Sequence, residues 1–266
     1  MKLDLLLDPF GTSWEDIRRC AGDAEEAGID GLWTWDHLAG SVHGEDRVLE
    51  SWTILSALAA VTSRVTLGPL VLNVASRRPG VLGTMAATLQ EVSGGRLLLG
   101  IGAGGGADTP YGAEHRFLGM DSPRDVQRRK QVREAVGTVR EVWSGTSGGA
   151  HGFLRPRPAP PIIVGGFGPK MAQLAGEVGD GFNTTSSLPG LGELAEIARQ
   201  AHVASGRGGE HFLMTAFGGL DPRRFADGSA GGRRLEQAGV GRYIAVVSAP
   251  YPSLAQLREA AAVVVG

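Results

Sequence analysis

The stretch PIIVGGFGPKMAQLAGEVGDGFNT, Pro161–Thr184, contains two short apolar runs with a longer helical pattern between them. We predict strands at Ile162–Val164 and Gly181–Asn183, and a helix at Pro169–Val178 that has a proline in its first turn. A strand, a helix and a second strand in this order form a βαβ unit, whose two strands run parallel. This stretch therefore predicts an α/β fold with a parallel sheet.

The same alternation extends over almost the whole chain. The other predicted strands are Lys2–Leu7, Gly31–Thr34, Val65–Val71, Arg96–Ile101, Phe212–Phe217 and Tyr243–Val247. The other predicted helices are Ser13–Ala27, Ser51–Val61, Val81–Val92, Ser122–Trp143, Leu191–Ser205, Gly232–Ala238 and Ser253–Val264. Ser13 and Ser122 are expected to cap their helices, and Gly28 is expected to end the first one. Eight strands with eight helices favour a closed (β/α)8 TIM barrel over a doubly wound open sheet, which usually stops at about five or six strands.

Two segments rich in Gly and Pro interrupt this pattern, Ser144–Pro161 and Leu220–Gly232. We predict irregular loops there, not domain linkers, because strands resume soon after each segment. The sequence therefore predicts one domain over residues 1–266, a barrel with loop excursions at its C-terminal face.

The composition argues against several classes of protein. Cys20 is the only cysteine, so no disulfide can form within the chain, and we expect this residue to be buried on the first helix. A formal net charge of −2 argues against nucleic-acid binding. No apolar stretch approaches the roughly 18 residues of a membrane span, and the first residues do not have the pattern of a secretory signal. We therefore expect a cytoplasmic protein that binds neither nucleic acid nor membrane.

Glycine-rich turns follow two neighbouring predicted strands, GIGAGGG at Gly100–Gly106 and GGFGPK at Gly165–Lys170. In a barrel of this type the loops after the strands build the active site. Glycine lets a ligand approach the backbone, and the N–H groups at a helix start attract an anion. The two turns together predict a phosphate or pyrophosphate cradle, although the second turn alone fits a ligand-free turn equally well. A nicotinamide-type Rossmann site is disfavoured, because no acidic residue ends a next strand about 20 residues later.

Asp36 and His37 lie at the C-terminal end of the second predicted strand. An imidazole gives or takes a proton near neutral pH, and Asp36 is placed to bias its orientation or charge. A structural histidine that caps a loop is the competing interpretation. His43 does not have metal-ligand spacing from His37, so no metal site is predicted.

Three stretches carry a resemblance to a known family. They are AEEAGIDGLWTWDHL (Ala24–Leu38), VTSRVTLGPLVLNVASRRPGVLGTMAATLQEVSGGRLLLGIGAG (Val61–Gly104) and the stretch quoted first, Pro161–Thr184. In this order and spacing they resemble the luciferase-like monooxygenase superfamily, and particularly its branch that uses the deazaflavin coenzyme F420. The resemblance covers nearly the whole chain and implies that the cofactor binds at the C-terminal mouth of the barrel.

The resemblance also implies roles for individual residues. His37 matches a histidine that sits by the reactive ring and bonds the substrate hydroxyl, and Asp36 precedes it as in those relatives. Leu70 and Val71 match a strand bulge, often with a cis peptide bond, that backs the deazaflavin ring. The residues implied to bind the cofactor are Leu70, Val71, Asn73, Ala103, Gly104, Gly165, Gly166, Phe167, Gly168 and Pro169.

The implied reaction is the transfer of a hydride between F420 and a small organic substrate, with His37 giving or taking a proton. Gly105 occupies the position where the sugar-phosphate dehydrogenases of the family carry a glutamate, which argues against phosphosugar oxidation. Arg77, Arg78 and Lys170 are candidates to contact the anionic tail of F420, or else are solvated surface charges.

Two alternatives to an F420 enzyme stay open. One is a two-component, reduced-FMN-dependent monooxygenase, and the other is a flavin-binding protein without catalysis. The expected partners are a small-molecule substrate, a separate flavin or F420 reductase and a second copy of the chain. The superfamily usually forms homodimers, and the apolar helices Ser51–Val61 and Val81–Val92 are the predicted contact, with packing on the barrel core as the competing interpretation.

Overall fold

The computed structural model of the chain describes residues 1–120 and 123–265. Eleven strands are found among these residues. They are β1 (Lys2–Leu7), β2 (Gly31–Thr34), β3 (Thr66–Pro69), β4 (Leu72–Asn73), β5 (Leu99–Gly102), β6 (Thr146–Ser147), β7 (Ala150–His151), β8 (Ile162–Gly165), β9 (Gly181–Thr185), β10 (Leu213–Gly219) and β11 (Arg242–Val247).

Nine of these strands form one parallel sheet in the order β3-β2-β1-β11-β10-β9-β8-β5-β4. Of the two end strands, β3 lies within the predicted strand Val65–Val71, whereas β4 begins just after it. Leu70 and Val71, joined by a cis peptide bond, separate the two. The sheet closes on itself because β4 pairs with β5, and Leu67 of β3 bridges to Leu97 just before β5. The predicted (β/α)8 barrel is therefore confirmed, with its third strand in two pieces.

Helices connect the barrel strands. They are α1 (Trp14–Ala27), α2 (Ser51–Val61), α3 (Pro79–Val92), α4 (Pro110–Phe117), α5 (Asp125–Trp143), α6 (Pro169–Val178), α7 (Leu191–His202), α8 (Pro222–Phe225), α9 (Ala230–Gln237) and α10 (Leu254–Val265). The local signals at α1 act as predicted, since Ser13 Oγ accepts from the backbone N–H of Asp16, and Gly28 ends the helix at a φ of 89°. No helix in the described part of the chain is long and apolar enough to span a membrane.

Several predicted boundaries were wrong. The long helix α5 begins at Asp125, so Pro123 precedes it, and the predicted cap Ser122 lies outside the described residues. α4 lies between the glycine-rich turn Gly100–Gly106 and the predicted helix Ser122–Trp143, where no element was predicted, and α8 falls within the predicted loop Leu220–Gly232. The excursion Ser144–Pro161 contains the small antiparallel hairpin β6–β7. α7 stops at His202 and is followed by a wider helical turn.

The N-terminal end of the barrel is filled by its own side chains. Asp4 in β1 is fully buried and accepts two hydrogen bonds from Arg242 of β11, at 2.6 and 2.7 Å, and one from Trp33 Nε1 at 2.8 Å. Above this network, Leu6, Trp33 and Ile244 pack inside the ring. Since this end is closed, a small molecule can enter only from the end where the strands terminate.

Candidate functional site

A cavity of about 500 Å³ opens at the C-terminal ends of the strands. Its size lies within the range of about 300–1,000 Å³ that is usual for small-molecule sites. It brings together most residues that the sequence singled out: Asp36, His37, Leu70, Val71, Asn73, Ala103, Gly104, Gly165, Gly166 and Phe167 line it. Gly168 and Pro169 do not line it, and instead begin α6 directly after Phe167.

His37 is held in this cavity by a residue that the sequence reasoning missed, Glu114 of α4. One carboxylate oxygen of Glu114 lies 3.1 Å from His37 Nδ1. The other accepts from the backbone N–H groups of Leu38 and of Ala39, the latter at 2.6 Å. The Glu114 side chain is only 5% exposed. One carboxylate therefore fixes both the imidazole and the loop that carries it.

These contacts determine which nitrogen of His37 carries the hydrogen. Burial alone raises the pKa of Glu114, but the hydrogen bonds from His37 and from the backbone N–H of Leu38 bring it below its usual range. An ionised carboxylate only accepts hydrogen bonds, so Nδ1 of His37 must be the donor. In the neutral ring Nε2 then has a free lone pair and can accept a proton.

Asp36 does not act as the expected partner of His37. Its carboxylate accepts two hydrogen bonds from Arg77, both at 2.8 Å, and a third from the backbone N–H of Asn73 at 2.8 Å. Arg77 also donates to Glu50 at 2.6 Å. Asp36 therefore anchors β4 to the strand end, and Arg77 is occupied within the protein, not available for an anionic tail.

Two arginines of α5 line the cavity and were not predicted. Arg128 donates to the backbone carbonyl of Gly104, which ties α5 to the glycine-rich turn. The hydrogen bond from Arg128 lowers the pKa of Asp125, and the charges of Arg129 and Lys170 lower it further. In the part of the chain that the structure describes, Arg129 has no ion pair. This side of the mouth is therefore positively charged.

The glycines at the mouth are required first by the packing of the chain itself. A Cβ at Gly102 would lie 2.4 Å from Val71, and one at Gly165 would lie 2.9 Å from it. Gly104 has a φ of 68°, and a Cβ there would lie 2.6 Å from the Asn73 side chain. Gly102 and Gly165 therefore make room for Val71, and Gly104 makes room for Asn73, whereas the sequence analysis related the two glycine-rich turns to a phosphate cradle.

The start of α6 fits a phosphate group. Gly168 is the N-cap residue, so no side chain caps the helix start, and Pro169 follows in the first turn. A Cβ at Gly168 would meet no atom within 4 Å, so the space beside the helix start is open. The N–H groups and the positive end of the dipole at such a start favour an anion. Together with the apolar wall of Leu70 and Val71, the site fits a phosphorylated tricyclic cofactor.

His115 of α4 fixes the side chain of Asn73, which also lines the cavity. Its Nε2 is paired with the Asn73 amide nitrogen, while the Asn73 amide oxygen accepts from the backbone N–H of Ala75 at 3.0 Å. Burial lowers the pKa of His115, so that the neutral ring is favoured. The side chain of Asn73 is therefore held in one orientation at the edge of the cavity.

Residues 5–219 match the model of a family described as luciferase-like monooxygenase. The chain belongs to this family. An F420-dependent glucose-6-phosphate dehydrogenase of Nakamurella multipartita is 34% identical over 190 residues, 67% of this chain and 54% of that protein. A 5,10-methylenetetrahydromethanopterin reductase of Archaeoglobus fulgidus is 30% identical over 223 residues, 80% of this chain and 62% of that protein. The chain thus spans little more than half the length of these curated relatives.

The fold has a close counterpart among solved structures. An F420-dependent secondary alcohol dehydrogenase in complex with an F420-acetone adduct superposes with a TM-score of 0.80 at 18% identity. The match covers 99% of this chain and 98% of that one. At this identity the likeness establishes the architecture and agrees with the barrel derived above.

Proposed function

We propose that the protein is an F420-dependent oxidoreductase that transfers a hydride between the deazaflavin and a small organic substrate. The observation that carries the proposal is the imidazole of His37, fixed by Glu114 at the wall of a cavity at the barrel mouth. F420 is supported as the cofactor by the relative from Nakamurella multipartita, which is an F420-dependent dehydrogenase.

When bound, F420 supplies a carbon that takes or gives the hydride. Leu70 and Val71 would form an apolar wall for its ring, and the backbone N–H groups at the start of α6 would hold its phosphate. Arg129 adds positive charge for the anionic part of the molecule. His37 Nε2 takes the hydroxyl proton during substrate oxidation and returns it during reduction.

Titration of the purified protein with F420 and, separately, with FMN tests the proposal by quenching of cofactor fluorescence. We expect F420 to bind at micromolar concentrations and FMN to bind more weakly. Preferred binding of FMN would support the reduced-FMN monooxygenase instead. Binding of neither cofactor would refute the proposal.

A pair of variants at Gly168 locates the phosphate in the same assay. Aspartate is a preferred N-cap residue, so Gly168→Asp should fold well while it places a carboxylate where the phosphate binds. We expect F420 to bind about tenfold more weakly or worse, because like charges repel. Gly168→Ala is the matched control and should bind like the wild type, since its Cβ meets no atom within 4 Å. Equal binding by all three proteins would place the phosphate elsewhere.

We also propose that the protein forms a homodimer and that a separate reductase supplies the reduced cofactor. On α2 and α3, Val61, Val81 and Val92 are 49%, 55% and 59% exposed, and a second copy would cover them. Light scattering of Val81→Glu should then report a monomer, whereas Val203→Glu, equally exposed but beyond α7, should remain dimeric. A wild-type monomer would contradict this proposal.

A further inference from the structure

A row of three aromatic rings crosses the mouth of the cavity. Trp35, directly after β2, contacts Phe217 of β10 edge to face, with ring centroids 5.5 Å apart. Phe217 in turn contacts Phe167, which follows β8, at 6.3 Å. All three rings line the cavity, and Phe167 is 65% exposed, a large apolar surface left open to solvent at a binding site.

Further rings surround the imidazole of His37. Tyr111 of α4 stacks on it with centroids 4.8 Å apart and an angle of 26° between the planes. His43 lies edge-on to it at 5.7 Å. The imidazole of His37 is therefore flanked by two further rings.

The charged residues that line the cavity lie away from the aromatic row or are already paired. Asp36 and Glu114 are bound to Arg77 and His37. The remaining charged residues among the described lining residues, Asp125, Arg128 and Arg129, all belong to the first turns of α5. No described lining residue of β9 or β10 is charged. An anionic substrate placed against the aromatic row would lose its hydration without gaining a partner there.

We propose that this aromatic wall binds an uncharged alcohol or ketone whose body is a hydrophobic ring. The inference rests on the proposed function. In the oxidation direction the C–H bond of the alcohol carbon breaks, its hydride goes to oxidised F420, and the O–H proton goes to His37 Nε2. The products are the ketone, reduced F420 and protonated His37, and the reduction runs through the same atoms in reverse.

Calorimetric titration with acetophenone and with glucose 6-phosphate tests this substrate class independently of turnover. Both ligands are added to the protein alone and to the protein saturated with F420. We expect heat of binding from acetophenone and none from glucose 6-phosphate at the same concentrations. Tighter binding of glucose 6-phosphate, or no binding of acetophenone in either state, would overturn the inference. Because F420 binding is measured separately, failure here with intact F420 binding leaves the proposed function standing.

Substitutions in the aromatic row test whether acetophenone binds there. Phe217→Ser should weaken acetophenone binding about tenfold, and Phe217→Leu, which keeps an apolar side chain, should weaken it much less. Phe167→Ser is a second test that does not disturb the barrel interior, because its ring is largely exposed. Phe117→Ser is the matched control, since Phe117 is 80% exposed and does not line the cavity. Unchanged affinity in Phe217→Ser and Phe167→Ser would contradict the assignment.

Discussion

Replacement of Glu114 by glutamine tests whether its carboxylate determines the proton position on His37. In the wild type one oxygen accepts from His37 Nδ1, and the other accepts from the N–H groups of Leu38 and Ala39. In Glu114→Gln the amide oxygen can keep both backbone bonds, while the amide NH2 group faces Nδ1. The ring must then carry its hydrogen on Nε2 and loses the lone pair that accepts the substrate proton.

The size of the effect follows from these contacts. Loss of a positioned base in the correct tautomer costs about 10²–10⁴-fold in turnover. The lost charge-assisted bond to His37 costs about 1.5–3 kcal/mol of stability at neutral pH. Because folding lowers the pKa of Glu114, this contribution is present above the unfolded value of about 4.3 and is lost as the pH falls through the folded value. The stability gap between wild type and variant should therefore shrink in acid.

The assay combines turnover, F420 affinity and a spectroscopic readout. We expect Glu114→Gln to bind F420 like the wild type but to turn over slowly. Nitrogen-15 NMR of histidine-labelled protein should show the His37 hydrogen on Nδ1 in the wild type and on Nε2 in the variant. Glu91→Gln, at an exposed position of α3, is the matched control. Wild-type turnover in Glu114→Gln, or a wild-type ring with its hydrogen on Nε2, would refute the reasoning.

Three further predictions concern stability and reactivity. Asp36→Asn should lower the free energy of unfolding by about 3 kcal/mol in urea titrations, because Arg77 loses its buried partner; no change would contradict the anchoring role. Gly105→Glu should cost about 1–3 kcal/mol, since its Cβ would lie 2.3 Å from that of Tyr111, and should not confer glucose 6-phosphate oxidation. Burial raises the pKa of Cys20 to about 12, so a thiol reagent should label it only on unfolding, and rapid labelling of native protein would be inconsistent with the fold.

Elements with strong local signals could be predicted from the sequence. The bounds of α1 and α6 follow from apolar patterning together with a cap, a proline in the first turn or a terminal glycine. The barrel itself follows from the alternation of such elements. These features depend on residues close in sequence, which is why they could be predicted.

The partner of His37 could not be predicted in the same way. Glu114 lies 77 positions away, on a helix that follows the glycine-rich turn Gly100–Gly106 and that was not predicted. A local signal for that helix was present, because Thr109 caps it through Gly112 and Pro110 occupies the first turn. The contact with His37 nevertheless depends on how the loops after two different strands meet, and no local pattern encodes that.

The role of the glycines at the cavity mouth could be predicted only in part. Gly102 and Gly165 lie where the sequence placed a ligand, but the side chain of Val71 fills the space that their missing Cβ atoms leave. The interruption between β3 and β4 moves Val71 into that space, and a β-prone run gives no sign of such an interruption.

A crystal structure of the protein with F420 tests the central claim most directly. The account predicts the deazaflavin ring against Leu70 and Val71, within reach of His37, and its phosphate at the start of α6. Density for F420 at another surface, or an aromatic row folded into the cavity so that no ring can enter, would contradict it.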